Sequence, residues 1–170
     1  MVLNIQQIQA KEQLRLDFAA QECDFPADIG SIVAPIHLEA QLRRVATEVT
    51  IAGRIATTLE MSCARCLKPY PEAFDDTFEI VYRLQSDAEA GNEIELDETA
   101  LKVSYYEGES IKLAELLRDQ LLLLVPVKPL CKADCAGLCP SCGKDLNEGA
   151  CACAPEHIDP RLAVLGQLLK

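Results

Sequence analysis

No tryptophan occurs in this chain, aromatic residues are only 5% of it, and there are just two histidines, His37 and His157. Neither histidine accompanies a nucleophile motif, and neither a phosphate-binding glycine loop nor a G-x-S-x-G turn is found. Asp75-Asp76 reads as a turn rather than a carboxylate pair built for acid–base work. An enzyme is therefore not expected. Positive charge is scarce as well: 16 Lys and Arg face 27 Asp and Glu, a net charge of −11. That balance argues against nonspecific nucleic-acid binding, which needs clustered cations to displace counterions from phosphates. Long apolar runs are also missing. The longest, Leu121 to Val127, has seven residues and contains Pro126, too short to span a membrane. The opening residues Met1-Val2-Leu3-Asn4-Ile5 lack the cationic stretch and apolar core of a secretory signal. With 49% apolar residues the chain is too hydrophobic to be disordered. The expectation is a soluble cytoplasmic protein with one main core and room for a small satellite.

Cysteine is abundant by contrast. The nine lie at Cys23, Cys63, Cys66, Cys131, Cys135, Cys139, Cys142, Cys151 and Cys153. In a reducing compartment, thiols clustered at short spacings more often hold a metal than form disulfides. Eight of them match the ligand count of two four-thiolate zinc sites, with Cys23 left over.

The first third of the chain alternates with a period of two. Leu14, Leu16 and Phe18 form one set, and Ile36, Leu38, Ala40 and Leu42 another. Val49, Ile51, Ile55, Leu59 and Met61 share a third parity. Such runs predict strands with one buried and one wet face. Gly53 inside the third run suggests a bulge, bend or tight turn. Phe78, Ile80, Tyr82 and Leu84 predict a further strand within residues 72–84, and Leu101, Val103 and Tyr105 one more. With so little helix between them, pairing should be mostly antiparallel. Ser86 to Thr99 carries six acidic residues and no base, which reads as an exposed loop or an acidic surface for a basic partner. Ser110 is a candidate N-cap for a helix over about 111–125, with Leu113, Leu117, Leu121 and Leu124 on one face and a buried, Leu-rich last turn. Pro126 and Pro129 should stop it. Asp159-Pro160 opens a short terminal helix striped by Leu162, Leu165 and Leu168/Leu169. No internal repeat is evident. The fold expected is α+β: a mostly antiparallel sheet packed by one long helix over 1–128, then a cysteine-rich zinc-knuckle segment and terminal helix over 129–170.

Cys63-Ala64-Arg65-Cys66 follows the longest strand, and its spacing lets a turn aim both sulfurs at one cation. A dithiol redox pair or plain buried thiols remain alternatives, although a redox pair usually starts a helix, and here Pro69 and Pro71 follow. Cys139-Pro140-Ser141-Cys142-Gly143 has the form of a zinc knuckle, in which glycine lets backbone N–H groups reach the sulfurs. The stretch around it has few large apolar side chains, chiefly Leu130, Leu138 and Leu146, so a metal should supply its folding energy. Cys139, Cys142, Cys151 and Cys153 make a compact local site. Cys131 and Cys135 then need two more sulfurs, and Cys63 and Cys66 are the only clustered candidates. Two closed Zn2+ sites are thus expected, without room for a catalytic water. Lys128, Lys132, Lys144, Arg65 and Lys68 are candidates to offset the thiolate charge.

Cys63-Ala64-Arg65-Cys66-Leu67, the Leu-rich stretch from Leu116 to Pro129, and the block Leu130-Cys131 through Cys142-Gly143-Lys144-Asp145-Leu146-Asn147, with Asp159-Pro160-Arg161-Leu162-Ala163, together resemble the YceD family. Its bacterial members are called large ribosomal RNA subunit accumulation protein. The resemblance implies a role in synthesis, processing or stability of large-subunit (23S) ribosomal RNA, hence ribosome biogenesis, and a large-subunit ribosomal protein as partner. It supplies no catalytic residues. The candidate RNA-facing patch is Arg43, Arg44 and Arg54, with Arg65 and Lys68 beyond. Arginines on a wet sheet face are more often solvated charges, and the acidic balance favours contact with a basic ribosomal protein or assembly factor, RNA being touched weakly or indirectly. A thiol redox protein using Cys63 and Cys66, or a general zinc-containing adaptor, are the competing readings.

Overall fold

A computed structural model describes residues 2–8, 10–85 and 102–153. Its strands are β1 (Val2–Asn4), β2 (Lys11–Phe18), β3 (Ser31–Ile32), β4 (Ile36–Val45), β5 (Glu48–Ser62), β6 (Pro69–Leu84), β7 (Val103–Tyr106) and β8 (Ser110–Lys112), followed by helix α1 (Leu113–Leu124). The main sheet has the order β2-β4-β5-β6-β7, with β3 beside the far end of β5, while β1 and β8 form a separate pair. All pairings are antiparallel except β6 with β7, which run parallel from Val81↔Val103 to Leu84↔Tyr106. Among the described residues the fold is mostly sheet with one helix, and no helix is long and apolar enough to cross a membrane.

The alternation in sequence is the alternation of burial. Along β4, Ile36, Leu38, Ala40 and Leu42 are buried while His37, Glu39, Gln41 and Arg43 are exposed. Along β5, Val49, Ile51, Ile55, Leu59 and Met61 are buried. Thr57 shares their face, and its hydroxyl donates to the Ala34 carbonyl at 3.0 Å, so the buried polar group is satisfied. Leu113, Leu116, Leu117 and Leu121 of α1 belong to one hydrophobic cluster with Phe18, Ile36, Leu38, Leu42, Val49, Ile51, Ile55 and Tyr82 of the sheet.

Several expectations are corrected. Gly53 makes no bulge or bend: the register runs through it unbroken, Ala40↔Gly53 on one side and Gly53↔Phe78 on the other. Its need is for space, since a Cβ there would lie 2.6 Å from the Glu39 carbonyl oxygen and 2.8 Å from Ala40 Cβ. Asp75 and Asp76 are no turn but sit inside β6, opposite Ala56 and Ile55. That strand starts at Pro69, three residues before the expected start, and Pro69 and Pro71 lie where β6 has β5 on one side only, beyond the reach of β7. Ser110 does not cap the helix. Ser110–Lys112 instead pairs with Val2–Asn4 as β8, and α1 starts at Leu113 after Lys112. The helix stops at Leu124, ahead of Pro126, as proline requires, but its last turn is not wholly buried, because Leu123 is 78% exposed. The acidic segment, Leu101, His157 and the terminal helix lie outside the described residues.

Gly53→Val should destabilise the sheet by about 1–3 kcal/mol through the forced separation of β4 from β5. Urea unfolding followed by circular dichroism checks this.

Candidate metal centres

Strand β5 ends in a tight turn that returns the chain into β6. The Cys63 N–H donates to the Lys68 carbonyl at 3.0 Å, and the Leu67 N–H to the Cys63 carbonyl at 2.9 Å. The turn at Cys139 repeats this pattern: the Cys139 N–H donates to Lys144 O at 2.8 Å and the Gly143 N–H to Cys139 O at 2.9 Å. Both turns read Cys-x-x-Cys-x-Lys, and in both the fifth residue is left-handed, Leu67 at φ +60° and Gly143 at φ +72°. The chain therefore does contain a small internal repeat, visible in the shared spacing once the lysine is counted. Glycine is the ordinary occupant of such a position; the first turn places there a leucine that is 65% exposed.

Each turn faces a second pair of thiols. The sulfurs of Cys63, Cys66, Cys131 and Cys135 lie within 4.8 Å of one another, as do those of Cys139, Cys142, Cys151 and Cys153. These are the same two sets that ligand counting assigns. Cys63 to Cys135 is 3.7 Å and Cys66 to Cys131 is 3.8 Å, while Cys139 to Cys151 is 3.4 Å. All are far longer than the ~2.05 Å of a disulfide. They approximate the edge of a tetrahedron whose centre is about 2.3 Å from each sulfur, the zinc–thiolate distance. Both sets can hold a metal ion. Cys23, the ninth, is buried apart from them, its thiol 3.8 Å from the Ala114 carbonyl.

The sulfurs are prepared for charge unevenly. Backbone N–H groups of Cys131 and then Cys66 pull the Cys63 thiol down to about 6. The N–H groups of Cys142 and then Ser141 do the same for Cys139, again to about 6. Cys131 is pushed up to about 12 by burial and by the neighbouring sulfurs, and Cys153 to about 12 by its contacts with Cys142 and Cys139. Each cluster therefore contains one thiol that backbone N–H groups hold toward its anion and one that its surroundings hold toward the protonated form. Tyr70 packs against the first cluster, and its buried hydroxyl has no hydrogen-bond partner among the described residues. Burial, then the nearby Glu72, holds it up to about 12, so it remains a donor beside the sulfurs.

The two clusters are bolted together. Arg65 donates to the Cys135 carbonyl at 2.7 Å, its own carbonyl accepts the Leu138 N–H at 3.2 Å, and the Ala64 N–H reaches Pro129 O at 2.8 Å. Lys68 pairs with Asp145 at 2.8 Å and with Glu148, and its ammonium then the Asn147 backbone draw Asp145 down to about 2. Asn147 donates from Nδ2 to the Cys135 sulfur at 3.5 Å. Of the cations expected to face the thiolates, Lys68 is spent on these carboxylates, Lys144 on the Ala150 carbonyl, Lys132 on Asp134 and Arg65 on backbone. Arg54 is bound by Asp75, and Arg44 by the carbonyls of Ile5 and Ala46. His37 pairs with Asp17 at 2.6 Å on the exposed sheet face. Asp145 and Asn147 escaped sequence reasoning because their role depends on Cys135, ten and twelve residues away.

A dithiol redox site would place Cys63 at a helix start beside one partner; here it follows the last residue of β5 and meets three further sulfurs. A mostly antiparallel sheet joined to two four-cysteine clusters defines a noncovalently braced, cysteine-cluster β protein. The family model "Large ribosomal RNA subunit accumulation protein YceD" matches residues 51–169, and the chain belongs to the YceD family. An uncharacterised protein of Mycobacterium tuberculosis is 31% identical over 140 residues, 80% of this chain and 63% of the relative. One of Mycobacterium leprae is 28% identical over the same share of this chain and 60% of its own. The chloroplastic large ribosomal RNA subunit accumulation protein YCED homolog 1 of Zea mays is 20% identical over 73% of this chain and 50% of its own. The chain thus spans between 50% and 63% of the length of these relatives, less than two-thirds in each case. No solved structure matches it.

Gly143→Ala should cost about 1 kcal/mol, the penalty of a left-handed residue bearing a Cβ, whereas Leu67→Gly should cost nothing or stabilise by up to about 1 kcal/mol. Paired thermal melts of the two variants check the contrast.

Proposed function

We propose that this chain is a noncatalytic, zinc-stabilised ribosome-biogenesis factor of the cytoplasm that supports the synthesis, processing or stability of large-subunit (23S) ribosomal RNA by contacting a basic protein. The observation that carries the zinc part is the gathering of eight thiols into two four-sulfur sets with tetrahedral spacing. Cys63, Cys66, Cys131 and Cys135 hold one Zn2+, and Cys139, Cys142, Cys151 and Cys153 the other. Residues 1–128 form the β-rich core with its packing helix, and 129–170 the lobe that the zinc fastens to it. Family membership supports the ribosomal role. Protein contact, rather than tight RNA binding, is favoured by the net charge of −11. It is favoured too by the engagement of Arg44, Arg54, Arg65 and Lys68 within the chain. A large-subunit ribosomal protein or basic assembly factor fits this surface.

Native mass spectrometry should find two zinc ions per chain. Cys66→Ser should release one and destabilise the sheet–lobe junction, and Cys142→Ser should release the other with less effect on the sheet. Acidification should strip both metals, since protons compete for the thiolates. Affinity capture from cells should retain large-subunit precursors through a basic protein, and depletion should lower 23S relative to 16S RNA. Metal-free folded protein with a reactive Cys63–Cys66 pair would favour the redox reading, and zinc-loaded protein that ignores ribosomal precursors the adaptor reading.

A further inference from the structure

The turn Leu146–Glu148 lies between the second and third sulfurs of the Cys139 set, yet its middle residue addresses the other set. Asn147 Nδ2 donates to the Cys135 sulfur at 3.5 Å, and its Oδ1 accepts the N–H of Ala136 at 2.9 Å. Asp145 holds this amide in place, its Oδ1 accepting from the Asn147 backbone N–H at 2.8 Å and from Nδ2 at 2.6 Å. The other oxygen of Asp145 is tied to Lys68, two residues past Cys66. The loop that joins Cys142 to Cys151, seated also by the Leu146 N–H on the Gly137 carbonyl at 2.9 Å, therefore supplies a hydrogen bond to a sulfur of the Cys63 cluster and a strut to its turn.

Hydrogen bonds to a coordinated thiolate disperse its charge and fix its direction, and loss of such outer partners typically weakens metal binding by about 10- to 100-fold. Closing Cys139 to Cys153 joins sulfurs near in sequence, whereas Cys63 and Cys135 are 72 residues apart, so the local set has the smaller chain entropy to overcome. We infer that the two centres load cooperatively, the Cys139 centre first, with Asn147 as the positioning residue that transmits its occupancy to the Cys63 centre. Each metal then raises the affinity of the other by the same factor. The inference rests on the zinc reading above and adds to it an order and a coupling residue.

The experiment titrates the metal-free chain with Zn2+ against a chromophoric chelator, and with Co2+ to read thiolate-to-metal charge-transfer bands. Circular dichroism verifies the sheet in every variant. Asn147→Ala should keep two metals per chain, weaken the Cys63 centre by about 10- to 100-fold and shift that centre's Co2+ bands. A Cys142→Ser/Cys153→Ser chain should show the same weakening at the Cys63 centre. Adding Asn147→Ala to it should cost nothing more, because an unclosed loop no longer presents the amide. Two centres that fill with independent affinities, or an Asn147→Ala effect that is additive with loss of the Cys139 centre, would overturn the coupling and leave the zinc reading standing. A wild-type chain that takes up no metal would overturn both.

Discussion

Sulfurs gathered in fours impose an electrostatic condition. Thiolates less than 4 Å apart repel strongly when little water screens them, and each set here contains one thiol that backbone N–H groups favour as an anion and one that its neighbours hold protonated. A dication at the centre of such a set would relieve that repulsion. The lobe built on these sets has little apolar core of its own: Leu130 and Leu138 pack beside Cys63, Cys66 and Cys135, while the buried residues of the main hydrophobic cluster lie within 5–121. A core that small cannot offset the entropy of ordering its chain, which is why the proposed function gives that work to a metal held by the sulfurs.

The strand pattern was readable because burial on one face of a sheet leaves a period of two in the residues themselves, as in Ile36 to Leu42. Features set by distant partners were not readable in this way. Ser110 looks like a helix cap until Val2–Asn4 is seen to pair with it, more than a hundred residues earlier. Gly53 looks like a bend until the close approach of β4 is known. The parallel attachment of β7 follows from where residues 103–106 return to the sheet, about which their alternation is silent.

The candidate metal centres divide in the same manner. Grouping eight cysteines into two fours needs only counting and the rule that a tetrahedron takes four ligands. The matching of the two turns down to their left-handed fifth residue, and the ladder Lys68–Asp145–Asn147–Cys135, belong to three-dimensional structure. Those contacts make the clusters one unit and spend cations that a linear reading left free for thiolates or RNA. The net charge of −11 is what the proposed contact with a basic protein draws on.

X-ray absorption at the zinc edge of the purified chain tests the central claim most directly. Each of two zinc ions should show four sulfur neighbours at about 2.3 Å and no oxygen or nitrogen ligand. A mixed coordination shell, or a stably folded chain in which no zinc is present, would contradict the account.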